Sequence, residues 1–176
     1  KKVQKSPAIF NPEKLDWINK EYIKKLVETN PEELKNNIFK YLPDNLKIEK
    51  LIPIISERIS KFSDIKNMLE AGEFDFFLKQ PDINKEKLIY KNINSEKISE
   101  NLKLAISALE KINENNFEQN NIKEALLEVA NNLESRGELL HPVRYVLSGL
   151  DKSPDPFIIA EILGKNETIS RLQKGI

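Results

Sequence analysis

The sequence has 176 residues, enough for one compact domain or two small bundles in tandem, and either is large enough to bury a core of its own. It has no cysteine, which excludes disulfide frameworks, thiolate metal sites and cysteine nucleophiles and fits a reducing, cytoplasmic setting. Twenty-eight Lys and Arg balance twenty-eight Asp and Glu, so total charge does not announce a nucleic-acid partner, although balanced totals can hide a basic face.

Helix signals run through the chain, while alternating patterns and Gly-rich hairpin turns are scarce, so the expected fold class is all-α. The motif N-P-E occurs at Asn11-Pro12-Glu13 and at Asn30-Pro31-Glu32. An Asn side chain caps free backbone N–H groups, Pro fits the first turn and Glu suits the positive helix end, so both mark helix starts. Leu15, Ile18, Tyr22 and Leu26 then share one face of the first helix, with Trp17 and Tyr22 expected in its core. Leu34, Ile38 and Leu42 share one face of the second, which ends before Pro43. From about Leu46 to Leu69 the apolar stripe is Ile48, Leu51, Ile55, Ile59 and Phe62, interrupted by Pro53, which implies a kink or a fresh start. Residues 72 to 94 are mixed, with a short helical piece around Leu88, and are the expected seam between two bundles. Ser95 to Ile112 and Asn121 to Leu133 read as plain amphipathic helices, separated by a polar Asn-rich loop. Three short helices close the chain: Pro142 to Ser148 ending at Gly149, Pro156 to Leu163 capped by Asp155 and stopped by Gly164, and one from Glu167 to Gly175.

Chemistry is sparse. There is no phosphate-cradling Gly-rich loop, no H-E-x-x-H pair and no Ser-x-x-Lys arrangement, so no catalytic residue and no metal ligand is expected in these residues. One histidine, His141, cannot make a multi-histidine site, and it reads as a helix-start residue without chemistry. Carboxylates on solvated helix faces are ordinary solubility charges. Only Arg58, Arg136, Arg144 and Arg171 carry guanidinium, whose planar fork can pair two acceptors on a base edge or stack on a base. If the helix continues through Pro53, then Lys47, Lys50, Arg58 and Lys61 fall along one stripe; the plainer reading is a solvated charged flank. No apolar run approaches the roughly twenty residues that cross a bilayer, no signal peptide is recognisable, and the missing initial Met suits a piece of a longer chain.

The order of residues resembles a known family. GELLHPVRYVLSGLDKSPDPFIIAEILGK, residues 137 to 165, is similar to the C-terminal signature of bacterial-type glutamyl-tRNA synthetases, in which P-L-R is followed by [ST]-G, a Pro-containing turn and F-x-x-x-x-L-L-G-K. PAIFNPEKLDWINKEYI and LIPIISERISKFSDI resemble two further family stretches in the same order. The resemblance implies two consecutive helical bundles forming an anticodon-binding helical cage. Residues 1 to 26 would end a tRNA stem-contact segment, 27 to 94 form a first anticodon-binding subdomain and 95 to 176 a second. The HIGH and KMSKS motifs of the family's catalytic domain do not occur, so that domain, with its ATP and magnesium, is expected upstream in the same polypeptide. Carried over by position, Arg58 in S-E-R-I would read the third anticodon base, and Arg144 in H-P-V-R with Pro154 and Pro156 would form a second contact surface. Lys50 and Lys61 would add charge-only contacts. Asp155-Pro156 stands where the family commonly has Gly and an apolar residue, and Asp155 reads better as a helix cap. The implied partner is tRNA for glutamate; some members also charge tRNA for glutamine, and Arg58 favours the stricter form. The expected protein is a cytoplasmic monomer without membrane contact, and the competing reading is a non-catalytic helical scaffold for protein partners.

Overall fold

Asn11 and Asn30 perform the capping that their N-P-E motifs predict. In a computed structural model that describes residues 11–91 and 93–176, helices α1 (Pro12–Thr29) and α2 (Pro31–Phe39) each begin with Pro in the first turn. The first ten residues of the expected 1–26 stem-contact segment lie outside the described residues. Asn11 Oδ1 accepts from Lys14 N at 3.2 Å, and Asn30 Oδ1 accepts from Glu33 N at 3.3 Å. Asn30 also ends α1, because its own N–H reaches Leu26 O at 3.0 Å, so one residue turns the chain between two helices. No strand occurs among the described residues, as an all-α fold requires, and no helix there is long and apolar enough to cross a membrane.

The chain divides into two compact units, Lys1–Ala71 and Gly72–Ile176. The first buries Leu34, Ile38 and Leu42 from the α2 region, as their spacing predicts, together with Ile23, Leu26, Leu46, Leu51, Ile55, Ile59 and Ile65. The α1 stripe departs from expectation. Ile23 and Leu26 face the core, but Leu15, Ile18 and Tyr22 are exposed and Trp17 is 63% exposed. Tyr22 instead donates its hydroxyl to Glu33 at 3.2 Å. The helix is therefore anchored by its C-terminal half, and its first turns present apolar surface outward.

The long helix expected from Leu46 to Leu69 is replaced by three short elements. A 3-10 turn covers Asp44–Leu46, α3 runs Leu51–Arg58 and α4 runs Asp64–Glu70. Of the two consequences open to Pro53, a fresh start is the one realised: Pro53 lies in the first turn of α3, where a missing N–H costs no helical hydrogen bond. Ile59 is extended at φ −91°, ψ 148°, and ends α3. Asp64 Oδ2 then accepts from Ser60 N at 2.9 Å and Lys61 N at 3.0 Å, which closes the turn into α4.

The second unit is built on α5 (Ser95–Glu110), which packs against α6 (Gln119–Ala130), α7 (Gly137–Ser148) and α9 (Lys165–Gly175), while α8 (Pro156–Leu163) lies on α6 and α7. The predicted stripe Ile98, Leu102, Ala105 and Leu109 is buried, as are Ile122 and Leu126. Asp155 caps α8 as expected, its Oδ1 accepting from Phe157 N at 2.9 Å and Ile158 N at 3.0 Å. The division between units falls at residue 72, at the start of the 72 to 94 stretch read as the seam. Phe76 and Leu88 belong to the same core cluster as Ile98 and Leu139, so the mixed segment is part of the second unit.

Helix α7 begins five residues before the expected Pro142 start, which puts Pro142 in a helix interior and His141 in mid-helix. Proline at that position cannot donate to the carbonyl of Glu138. The side chain of Asn101 on α5, fully buried, does so instead, its Nδ2 donating to Glu138 O at 3.1 Å. One polar core residue thereby satisfies the group that proline orphans. Replacement Asn101→Leu is expected to cost about 1–2 kcal/mol of unfolding free energy. In a Pro142→Ala background, where the introduced backbone N–H can itself bond Glu138 O, the same replacement should cost measurably less. Thermal or urea unfolding of the four proteins measures the coupling, and equal costs in both backgrounds would contradict this assignment.

Candidate functional site

The predicted site residues separate by unit. Lys50, Arg58 and Lys61 belong to the first, Arg144, Pro154 and Pro156 to the second. Because the long helix is broken, Lys47, Lys50, Arg58 and Lys61 do not share a helical stripe. Lys50 sits at the N-cap of α3 and Arg58 is its last residue, so they flank opposite ends of the helix, about 12 Å apart along its axis. Lys47 lies in the preceding turn and pairs with Asp44 at 2.7 Å. Lys61 lies in the turn after α3, exposed, with Asp16 and Asp64 at 3.6 and 3.9 Å. Arg58 is exposed at the negative end of α3, where a guanidinium complements the helix dipole.

A groove of about 810 Å³ opens over α1, α2 and α3 in this unit. Its cations are matched by carboxylates: Lys35 bonds Glu32 and Glu49, each at 3.0 Å, and these two bonds raise its pKa. Such a lining has no net pull on an anion.

The second unit brings its predicted residues together, with Arg144 ordering the turn that carries Pro154. From mid-α7 its guanidinium reaches over the turn that follows Gly149. Nη1 donates to Leu150 O at 3.3 Å and to Ser153 Oγ at 3.1 Å, and Nη2 donates to Asp151 O at 3.0 Å. Ser153 Oγ in turn donates to Pro154 O at 3.1 Å. Ser148 extends the arrangement, accepting Leu150 N at 3.2 Å while donating to Arg144 O at 2.8 Å. Gly149 starts the turn at φ 68°, a left-handed conformation that other residues adopt at a cost. Pro154 is half-buried. Pro156 is buried in the first turn of α8, where it holds the direction of the helix. The fork of Arg144 therefore shapes the turn, and the turn presents Asp151, Lys152 and part of Pro154 to solvent.

Residues outside the predicted set complete this surface. Lys87 Nζ lies 2.7 Å from Asp151 Oδ2. That hydrogen bond holds the Asp151 carboxyl below the usual carboxylate range, with the charges of Lys87, Arg144 and His141 adding to the pull. Since the folded value is lowered, the pair contributes at pH above the unfolded carboxylate value and is lost only as pH falls through the lowered one. His141 Nε2 lies 3.0 Å from Lys87 O; a carbonyl only accepts, so that nitrogen carries the proton. Arg171, the remaining guanidinium, is 4% exposed and bonds Phe76 O and Leu147 O at 2.7 Å each and Glu167 Oε1 at 2.7 Å. Glu167 is the one local acceptor; the burial of Arg171 rests on the distant carbonyls of Phe76 and Leu147, which the local sequence does not signal. Among the described residues no group of His, Cys, Asp and Glu could hold a metal ion.

A family model described as "Anticodon binding domain" matches residues 10–176. The chain is 35% identical over its whole length to a glutamate-tRNA ligase of Clostridium botulinum strain Eklund 17B and 33% identical over 99% of its length to that of Clostridium acetobutylicum, covering 36% of each. A crystal structure of a glutamate tRNA ligase from Elizabethkingia meningosepticum, in complex with its amino acid, is similar over 98% of this chain and 34% of that one, with TM-score 0.73 and 27% identity. The chain thus spans about a third of the length of the proteins it matches.

If Arg144 holds the turn, Arg144→Ala should speed amide exchange at Leu150 to Ser153 roughly tenfold or more while leaving the α5 core amides protected. Hydrogen exchange at neutral pH checks this, and unchanged exchange in the turn would assign the order there to other contacts.

Proposed function

The chain belongs to the anticodon-binding domain family, and on that premise we propose that it is the tRNA anticodon-recognition region of a glutamate-tRNA ligase. The observation that carries this reading is similarity to glutamate-tRNA ligases along essentially the whole chain. In the longer enzyme a catalytic domain in the same polypeptide uses ATP and magnesium to attach glutamate to tRNA, while this region holds the anticodon far from the reacting 3′ end. Residues 1 to 26 end the stem-contact segment. The exposed Leu15, Trp17, Ile18 and Tyr22 of α1 suit packing against that upstream part, since isolated monomers seldom leave such residues clustered in water.

Unpaired anticodon bases expose their Watson–Crick edges and faces, so recognition needs fixed donors and flat surfaces. Arg58 supplies the donor: its exposed fork at the end of α3 reads the third base. The turn ordered by Arg144 supplies the rigid surface through Pro154, with Pro156 fixing where α8 departs. Lys50 and Lys61 contribute phosphate attraction, and for Lys61 RNA must compete with Asp16 and Asp64. Binding energy collected here positions the acceptor end in the catalytic domain, which raises turnover as well as affinity. The preferred substrate is tRNA for glutamate over tRNA for glutamine, the protein is a monomer and it works in the cytoplasm. A purely protein-binding scaffold would instead leave tRNA unbound.

The test is equilibrium binding to glutamate tRNA transcripts with the native or an altered third anticodon base. The wild-type chain should prefer the native base by about tenfold, the worth of one good base contact, and Arg58→Ala should abolish the preference. Lys50→Ala should weaken both transcripts equally. A preference that survives Arg58→Ala removes Arg58 as the reader.

A further inference from the structure

The segment from Pro81 to Lys91 has no regular structure beyond a 3-10 turn at Lys85–Leu88, yet it is held tightly against α7. Leu88 is buried in the core of the second unit. His141 holds the carbonyl of Lys87 at 3.0 Å, and its ring lies against that of Tyr90 at 5.6 Å between centroids. Gly137 leaves room for Tyr90, since any Cβ there would overlap the tyrosine ring, and Gly149 leaves room for Pro81 in the same way. The helix whose Arg144 shapes the 150–153 turn thus also carries, with the Gly149 that follows it, the glycines and histidine that seat this segment.

Beyond the exposed Asp82, what the segment shows to solvent is mainly basic. Lys85, Lys87 and Lys91 are exposed, with Glu86 as the one acidic residue between them. Lys87 reaches Asp151 in the turn itself, so the basic segment and the turn are adjoining parts of one surface. Lys91 is the only residue other than glycine with positive φ among the described residues, at 56°. Such a conformation is disfavoured for any residue with a Cβ and persists only where the surroundings enforce it. Here it sets the Lys91 ammonium 5.3 Å from the centroid of the Tyr90 ring. Three cations on a backbone fastened this firmly lose little further conformational freedom on binding a row of anions.

Resting on the anticodon-binding reading above, we infer that Lys85, Lys87 and Lys91 form a phosphate-contacting edge that grips the RNA backbone beside the Arg144 turn. In this arrangement Lys87 exchanges Asp151 for a phosphate oxygen, while Lys85 and Lys91 meet neighbouring phosphates. His141 and Tyr90 are positioning residues that act through the segment and touch no RNA. Contacts of this kind are indifferent to base identity and sensitive to salt.

The experiment compares the wild-type chain with the triple variant Lys85→Gln/Lys87→Gln/Lys91→Gln over a salt series, with native and anticodon-altered glutamate tRNA. A control triple, Lys103→Gln/Lys111→Gln/Lys123→Gln, removes the same charge from exposed positions on and after α5 and on α6. The edge variant should bind both transcripts about tenfold more weakly or worse at low salt, and its salt slope should fall by about one for each lysine removed. The control should stay near wild type, and replacing the three edge lysines by arginine should preserve affinity, which separates charge from folding. An edge variant indistinguishable from wild type or from the control overturns the inference while leaving the anticodon reading standing. Wild-type protein that binds neither transcript removes the anticodon reading, and this inference with it.

Discussion

The guanidinium of Arg171 is almost wholly out of water, and the second unit is organised around what it takes to keep it there. Burying a charge costs several kcal/mol unless its donors are satisfied. Three acceptors meet that need: Glu167 one turn back on α9, Leu147 O near the end of α7, and Phe76 O in the irregular segment. The hydrogen bond from Arg171 holds the Glu167 carboxyl below its ordinary range, as expected of a carboxylate kept ionised by its partner. These bonds tie together three parts of the chain that share no local sequence relation. Through Phe76 they draw residues 72 to 91 onto the helical core, and through Leu147 they fix the end of the helix from which the 150–153 turn departs.

Helix α7 then distributes that order to the surface. Its buried side, with Leu139, Val143, Val146 and Leu147, is ordinary core. Its other positions are each committed to a neighbour: Gly137 and His141 to the lysine-bearing segment, Arg144 and Gly149 to the turn, and Pro142 to a bond borrowed from Asn101. The four arginines consequently have different work. Arg171 is scaffold, Arg144 shapes a loop, Arg136 donates to Asn131 at the start of α7 at 2.8 Å, and Arg58, exposed at the end of α3, is the one proposed as base reader. The proposed recognition divides in the same way, with a base reader in the first unit and backbone grip with a rigid turn in the second.

Much of this was legible in the residues, and the failures have physical causes. Helix starts marked by a capping side chain followed by Pro were readable at Asn11, Asn30 and Asp155, because the cap, the proline and the first turn are all local. The stripe of α5 was equally plain. Trp17, Leu15, Ile18 and Tyr22 misled because periodicity reveals an apolar face without revealing what covers it. Pro142 misled because proline usually opens a helix, and its tolerance here depends on Asn101, forty-one positions earlier. The break at Ile59 has no proline or glycine to announce it and relies on Asp64 collecting two backbone donors. In the 81–91 segment only the short helical piece around Leu88 was legible, realised as the 3-10 turn Lys85–Leu88, and no family motif marks the rest. The segment's place is set by a histidine and two glycines that lie well beyond it in the chain.

The central claim is that RNA meets this chain at the end of α3, at the 85–91 segment and at the turn after Gly149. Hydrogen exchange of the chain alone and saturated with glutamate tRNA tests it most directly, because it locates contact without altering any residue. Slowed exchange is predicted for amides around Arg58 to Lys61, Lys85 to Lys91 and Leu150 to Ser153, with the buried α5 amides little changed. Protection confined to other surfaces, with these three stretches unaffected, would contradict it.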